Sequence, residues 1–228
     1  MRTIFNLVTI GCTLALASAQ YQWPDVAPAK GDSFRVFGQS PAAVLVNDLW
    51  TSGDLKQESP LPIGYVAPTS ADNIEIKSYP GVRRAEFASE HLWMKNVWGI
   101  NRAFNKLFDH ISSRKIPMTS PVEFNFRNMT DQSGFLESDK GDWTMSFLYR
   151  TPSLGPAGPA ENDVNVVDTK EVTVIAIAFE GDYGNQNYNK GLKQLYAALA
   201  SQTKWVQAGE PRAFNYNSPF VWNKWGEV

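Results

Sequence analysis

The chain has 228 residues, with 21 Lys and Arg against 23 Asp and Glu and a formal charge of −2. No basic run interrupts that balance, which argues against nucleic acid as a partner. The one cysteine, Cys12, cannot form an internal disulfide. Stability must come from an apolar core, and a 13% aromatic content with eight Trp can supply one.

MRTIFNLVTIGCTLALASAQ opens the chain. Arg2 is followed by an apolar run from Ile4 to Leu16, then by Ala17-Ser18-Ala19. This is the three-part layout of a secretory signal, cleaved after Ala19. As a membrane span the run is too short. Residues 1–19 are therefore read as a signal peptide and the protein as secreted and extracellular. Cleavage removes Cys12 and Arg2, leaving roughly 209 residues and a charge of about −3.

Residues 20–72 are rich in Pro, Gly, Ser and Asp and read as an N-terminal arm packing on the main domain. Ser33–Phe37 fits a short strand, and Ala42–Trp50 a short helix or strand. ESPLPIGYVAPTSADN reads as linker. The main domain starts near Asn73. Ile74–Tyr79 alternates apolar and polar residues as a half-buried strand does, and Val82–Phe87 returns after the turn signal Pro80-Gly81. Val97–Ile111 fits a helix whose apolar stripe is Val97, Ile100, Phe104, Leu107, Phe108 and Ile111. Pro117 sets its upper limit. Strands follow at Pro121–Phe126 and Trp143–Tyr149, then the connector Thr151–Asp163.

After the connector the pattern recurs: strands at Val164–Val167 and Val172–Phe179, a helix over Asn187–Ala200, and strands near Trp205-Val206 and Arg212–Tyr216. The halves, about 73–150 and 164–228, align at an offset of roughly ninety residues, too long and too few for a solenoid. Two such units can join their strands into one curved sheet or open barrel, each helix burying its single stripe. The expected fold is α+β with a pseudo-two-fold internal repeat.

Catalytic signatures are scarce. The two histidines, His91 and His110, form no zinc-binding spacing, and no GxSxG, GxGxxG or P-loop pattern occurs. Glu161 and Asp163 lie in the connector and read as solvated charge. His91 reads as a surface or packing residue. His110 falls in the last helical turn, where the helix dipole favours an imidazolium. Met118, at a strand entry, reads as an apolar filler. His110 and Met118 as joint haem ligands are disfavoured, because nothing local fixes them around one iron. Asn128-Met129-Thr130 is an N-glycosylation sequon, and Asn128 a candidate glycan site. Material for side-chain catalysis is thin, so a non-enzymatic binding role is expected.

Four segments in order carry a resemblance: NIEIKSY from Asn73, GINRAFNKLFDHIS from Gly99, KIPMTSPV from Lys115 and YNSPF from Tyr216. Residues 73–228 thus resemble the SOUL haem-binding protein family. The resemblance implies a distorted antiparallel β-barrel flanked by two helices, and haem or another porphyrin as a bound tetrapyrrole rather than a catalytic cofactor. It places the ligand on an apolar patch of the first helix, near the YNSP-type segment. The matching residues are Ile100, Phe104 and Phe220 for the ring and Arg102 for a propionate, which an Arg grips bidentately. Two departures stand out. Ser78 occupies the place where some members carry a strand histidine. Val221 and Trp222 follow Phe220 where some members carry a lysine, so Lys224 is the nearest cation. A competing reading is an extracellular interaction module without haem, which the aromatic WNKW of Trp222–Trp225 also suits.

Overall fold

The computed structural model describes residues 20–89, 97–127 and 142–228. Residues 1–19, read above as a signal peptide, His91 and the sequon at Asn128 lie outside the described residues.

The arm forms β1 (Ser33–Phe37) and a small sheet of β2 (Val44–Val46), β3 (Leu49–Ser52) and β4 (Leu55–Lys56). Ala42–Trp50 thus resolves into a hairpin. Asn47 and Asp48 take φ of 51° and 65°, the left-handed pair that a two-residue hairpin turn needs.

The remaining elements are β5 (Ile74–Tyr79), β6 (Arg83–Ser89), α1 (Val97–Ser113), β7 (Val122–Arg127), β8 (Asp142–Leu148), β9 (Gly158–Pro159), β10 (Val164–Asp168), β11 (Val172–Glu180), α2 (Asn185–Ala200), β12 (Arg212–Asn215) and β13 (Trp225–Glu227). Trp205-Val206 is not a strand but part of the extended chain leading from α2 to β12. Ten strands form one sheet in the order β1-β5-β11-β13-β12-β7-β8-β6-β10-β9, every neighbouring pair antiparallel. Exchanging β5 to β8 for β10 to β13 reverses the order of the eight inner strands and leaves it otherwise unchanged.

No pairing closes this sheet among the described residues, so the expected barrel is replaced by an open sheet. Its edges explain why. β9 is two residues ending in Pro159, which has no N–H to donate, and β1 carries a register shift between Arg35 and Phe37.

Strand alternation sends one side-chain set to each face. Ile74, Ile76, Phe87, Phe124, Phe126, Trp143, Met145, Phe147 and Ile177 meet α1 and α2 in the main core. Each such side chain contributes roughly 1.5–3 kcal/mol by leaving water. Gly191 lets α2 sit close, since a Cβ there would lie 2.6 Å from Val228 and 3.1 Å from Ile177.

The opposite face is not solvent. Residues 55–72 of the arm cross it, with Leu55, Leu61 and Val66 packing on Tyr79, Phe214, Tyr216 and Trp225. Six of six β5 residues are consequently buried, where the alternating pattern predicted a half-buried strand. Under this strap lies an ion pair, Lys77 Nζ to the Glu227 carboxylate at 2.7 and 3.0 Å, with side chains 0% and 1% exposed. Glu227 also accepts from Tyr79 (3.3 Å), Tyr216 (3.0 Å) and the Thr69 backbone N–H (3.1 Å). Its lone pairs are thus satisfied, as burial requires. Burial also pushes the Tyr79 and Tyr216 hydroxyls well above their ordinary range, with the Glu227 charge adding to the effect.

Candidate functional site

α1 buries Ala103, Leu107 and Ile111 against the sheet and leaves Ile100 and Phe104 half-buried. The Phe104 ring meets Phe147 edge-on at 5.1 Å and stacks on Phe108 at 6.0 Å and 11°. Phe108 is 47% exposed, while His110 is only 1% exposed. The helix is thus rolled away from the register the apolar stripe implied. Phe108 turns outward beside Phe104, and His110 turns inward.

His110 is therefore not a dipole-stabilised imidazolium. Its Nε2 pairs with the Tyr149 hydroxyl at 2.8 Å, and its Nδ1 has no hydrogen-bond partner. Burial, assisted by the Arg114 charge, holds its pKa below the usual 6.5. The neutral form is favoured because desolvation penalises the cation more than the dipole rewards it. The stop after it is built by Lys115, at φ 55°. Lys115 N–H donates to Ser112 O (3.1 Å) and Ile116 N–H to Ile111 O (2.9 Å), the paired bonds of a Schellman ending, with Ile116 and Ile111 both buried.

Arg102 is exposed. At 3.6 residues per turn it sits about 160° around the helix from Phe104. It shares its flank with Lys106, whose Nζ bonds Asp163 and lies 5.1 Å from the Phe87 ring centre. Lys106 first, and Arg102 after it, hold the Asp163 carboxyl below its usual pKa. Arg114 grips Glu161 with both guanidinium nitrogens and holds that carboxyl at about 2. The two connector carboxylates are thus exposed, as the reading as solvated charge has it, and each also pairs with a cation of α1 or its end.

The KIPMTSPV and YNSP segments hold elements together. Ser120 Oγ donates to Tyr216 O (3.0 Å), Ser120 N–H to Pro60 O (3.1 Å), and Thr119 Oγ1 to Leu148 O. Met118 packs on the core, as its filler role predicted. Asn217 donates from Nδ2 to Lys56 O (2.7 Å) and accepts at Oδ1 from Trp225 N–H (2.8 Å). Its own N–H reaches the Tyr183 hydroxyl at 2.8 Å. Above this anchor, Phe220 and Trp222 stand 94% and 95% exposed.

Ile100, Phe104 and Arg102 thus share one helix. Phe220 and Lys224 belong to another neighbourhood. Lys224 is 8% exposed, pairs with Asp182 at 2.5 Å and accepts from Gly181 N–H through its carbonyl. It is a structural tie, with no free cation to offer a propionate.

A porphyrin needs an apolar platform, a cation for its carboxylates and, if iron is ligated, a donor atom. The first two exist on α1. Among the described residues the third does not: His110 is committed to Tyr149, Met118 is in the core, and Ser78 Oγ lies 3.1 Å from Thr173 Oγ1. No cluster of three metal-ligating side chains occurs among the described residues, and no described helix is long and apolar enough to cross a membrane.

What these elements define is an α+β protein: a large antiparallel sheet, two helices on one face and an exposed aromatic strip on the first. Residues 63–228 match the model of the SOUL heme-binding protein family, and the chain belongs to that family. Haem or porphyrin is the ligand class of the family. No curated protein matches the chain. Among solved structures, the EcmrR C-terminal domain is similar at 10% identity and a TM-score of 0.48, over 68% of this chain and 94% of that one. A hydrolase from Listeria innocua is similar at 10% identity and a TM-score of 0.48, over 71% and 92%. An integron cassette protein from Vibrio cholerae is similar at 12% identity and a TM-score of 0.37, over 68% and 92%.

The charged face beneath the strap was not anticipated from the residues. The only signal for it was that Lys77 and Glu227 alternate with apolar neighbours, which an exposed strand face would also show.

Proposed function

We propose that this chain is a secreted tetrapyrrole-binding protein that carries or sequesters its ligand without transforming it. Membership of a haem-binding family is the observation that carries the reading. The proposed seat is the outer side of α1. Ile100 and Phe104 hold the ring by apolar contact and Phe108 extends that platform; Arg102, about 160° around the helix from Phe104, meets only a propionate that reaches past the edge of α1. Affinity comes mainly from buried apolar area, at about 25 cal/mol per Å² before association costs. The seat so built needs no iron ligand, so metal-free porphyrin is expected to bind to it too. The reversed strand order supports a two-fold internal repeat, and Asn128 is the proposed glycan site.

A haemin titration followed at the Soret band tests the seat. Saturable binding should weaken about fivefold in Arg102→Ala, the loss of one exposed ion pair worth about 1 kcal/mol. It should weaken further in Phe108→Asp, a half-exposed position where the fold survives. Binding unchanged in both variants contradicts the seat, and no saturation in the wild type contradicts the function.

The second reading, an interaction module that binds a protein, rests on Phe220 and Trp222. Two almost fully exposed aromatics on an anchored loop are the kind of residues that become interface hot spots. Recovery of a colourless, stoichiometric protein complex from the native fluid favours it.

A further inference from the structure

Tyr149 and His110 form a buried acid–base pair that the tetrapyrrole seat does not use. Both are 1% exposed, and the phenol oxygen lies 2.8 Å from His110 Nε2. With the ring proton on Nε2, the Nδ1 lone pair would face the Glu161 carboxylate. With it on Nδ1, that N–H faces the carboxylate and Tyr149 O–H donates to Nε2. Electrostatics favour the second arrangement. Glu161 Oε1 is 3.9 Å from Nδ1, too far for a hydrogen bond, so at rest Nδ1 has no partner. A buried polar atom without a partner calls for a reason. A charged state of the ring supplies one, because an imidazolium is answered by that carboxylate.

Other tyrosine hydroxyls lack this outlet. Tyr188 donates to Asn215 Oδ1 at 2.8 Å and Tyr183 to the Trp225 carbonyl at 3.0 Å, and neither acceptor is a base. Tyr79 and Tyr216 donate to Glu227, but a proton there would strand Lys77. Burial holds the Tyr149 hydroxyl above its ordinary range and His110 below its own, so at neutral pH the pair rests as phenol and imidazole. The charged groups around it are Glu161 of the connector, Arg114 just past α1 and Arg83 of β6. Tyr149 stands two residues after Phe147, whose ring meets Phe104 of α1 at 5.1 Å. The phenol thus lies beneath α1, one helix diameter of about 10 Å from its outer face. A phenol that loses an electron becomes a strong acid, and an imidazole is the side chain suited to take the proton.

We propose that Tyr149 and His110 form an electron-donor site whose substrate is a one-electron oxidant reaching the outer face of α1. Tyr149 gives one electron to the oxidant. Its O–H bond breaks, and the proton forms an N–H bond at His110 Nε2. A neutral tyrosyl radical and an imidazolium facing Glu161 remain, and the oxidant leaves reduced by one electron. This does not depend on tetrapyrrole binding.

Flash oxidation of the full chain tests this, with photo-generated tris(bipyridine)ruthenium(III) as the oxidant and no tetrapyrrole added. Freeze-quenched electron paramagnetic resonance reads the radical. A tyrosyl signal is expected, narrowed when the protein is made with ring-deuterated tyrosine. Tyr149→Phe should lower its yield at least fivefold, while Tyr188→Phe leaves it unchanged. His110→Gln keeps a hydrogen bond to the phenol but accepts no proton, and should lower the yield at least threefold. The wild-type yield should also fall as pH drops below 6.5, where the ring gains its own proton. A yield unchanged in Tyr149→Phe, or a tryptophan signal in place of the tyrosyl one, overturns Tyr149 as the donor. An unchanged yield in His110→Gln, or a flat wild-type yield from pH 7.5 to 4.5, overturns His110 as the proton acceptor and the site with it.

Discussion

Glu227→Gln is the sharpest perturbation of the interior. The substitution keeps the side-chain shape but removes the charge opposite Lys77, whose side chain is 0% exposed. Removing one member of a buried ion pair costs about 3–5 kcal/mol, because the partner charge is stranded. For a chain of this size each kcal/mol shifts Tm by roughly 2–4 °C, so a fall of about 6–20 °C is expected. Lys77→Met should cost a comparable amount, by leaving the carboxylate without its cation. Combining them removes both charges; the introduced amide oxygen can still accept from Tyr216 and Thr69 N–H, and its NH2 group then donates to the Tyr79 hydroxyl oxygen. The double variant should therefore be more stable than the summed singles predict, by at least about 1.5 kcal/mol. Urea unfolding of the four proteins measures this coupling. Single effects under about 1 kcal/mol, or additivity within about 0.5 kcal/mol, would refute the claim that the strap encloses a desolvated ion pair.

Four further outcomes follow from single sites. The folded pKa of His110 lies below 6.5, so the unfolded chain takes up its proton first and stability falls as pH drops below about 6.5; urea midpoints at pH 7.5 and 5.5 should differ less in His110→Gln. Glu161 is held near 2 in the fold, so its contribution is lost only as pH falls below its ordinary 4.5, which keeps the two windows apart. Gly226→Ala places a Cβ 2.2–2.9 Å from three Phe179 ring atoms; thermal unfolding should show a loss of about 1–3 kcal/mol, partly recovered by Phe179→Leu, and no loss contradicts the packing. Lys115→Gly relieves a left-handed residue at φ 55° and should raise stability by about 1 kcal/mol in the same assay.

Periodicity was enough to locate both helices and nearly all the main strands, because apolar spacing at 2 and 3.6 residues follows directly from burial. It failed where burial came from a distant segment. Ile74–Tyr79 alternates as a solvent-facing strand does, and nothing local shows that residues 55–72 fold back over Lys77. It also failed at the helix roll. Phe108 and His110 flank the same stripe, and hydrophobicity alone favours burying Phe108. The Tyr149 hydroxyl, 39 positions away, reverses that choice by giving His110 a buried partner. Of the candidate site, Ile100 and Phe104 were legible as neighbours on one helix face, and Arg102 as a residue of the same helix. The separation of Phe220 and Lys224 from them was not, because it depends on β13 running beside β11 and on the tie from Lys224 to Asp182.

The central claim is that α1 holds a tetrapyrrole by its apolar face. Titration of the wild type and Phe108→Asp with metal-free protoporphyrin IX, read by porphyrin fluorescence, tests it without any contribution from iron. One saturable site at micromolar protein is expected, weakened at least tenfold by the substitution while thermal unfolding stays within a few degrees. No saturation in the wild type, or an unchanged affinity in Phe108→Asp, would contradict it.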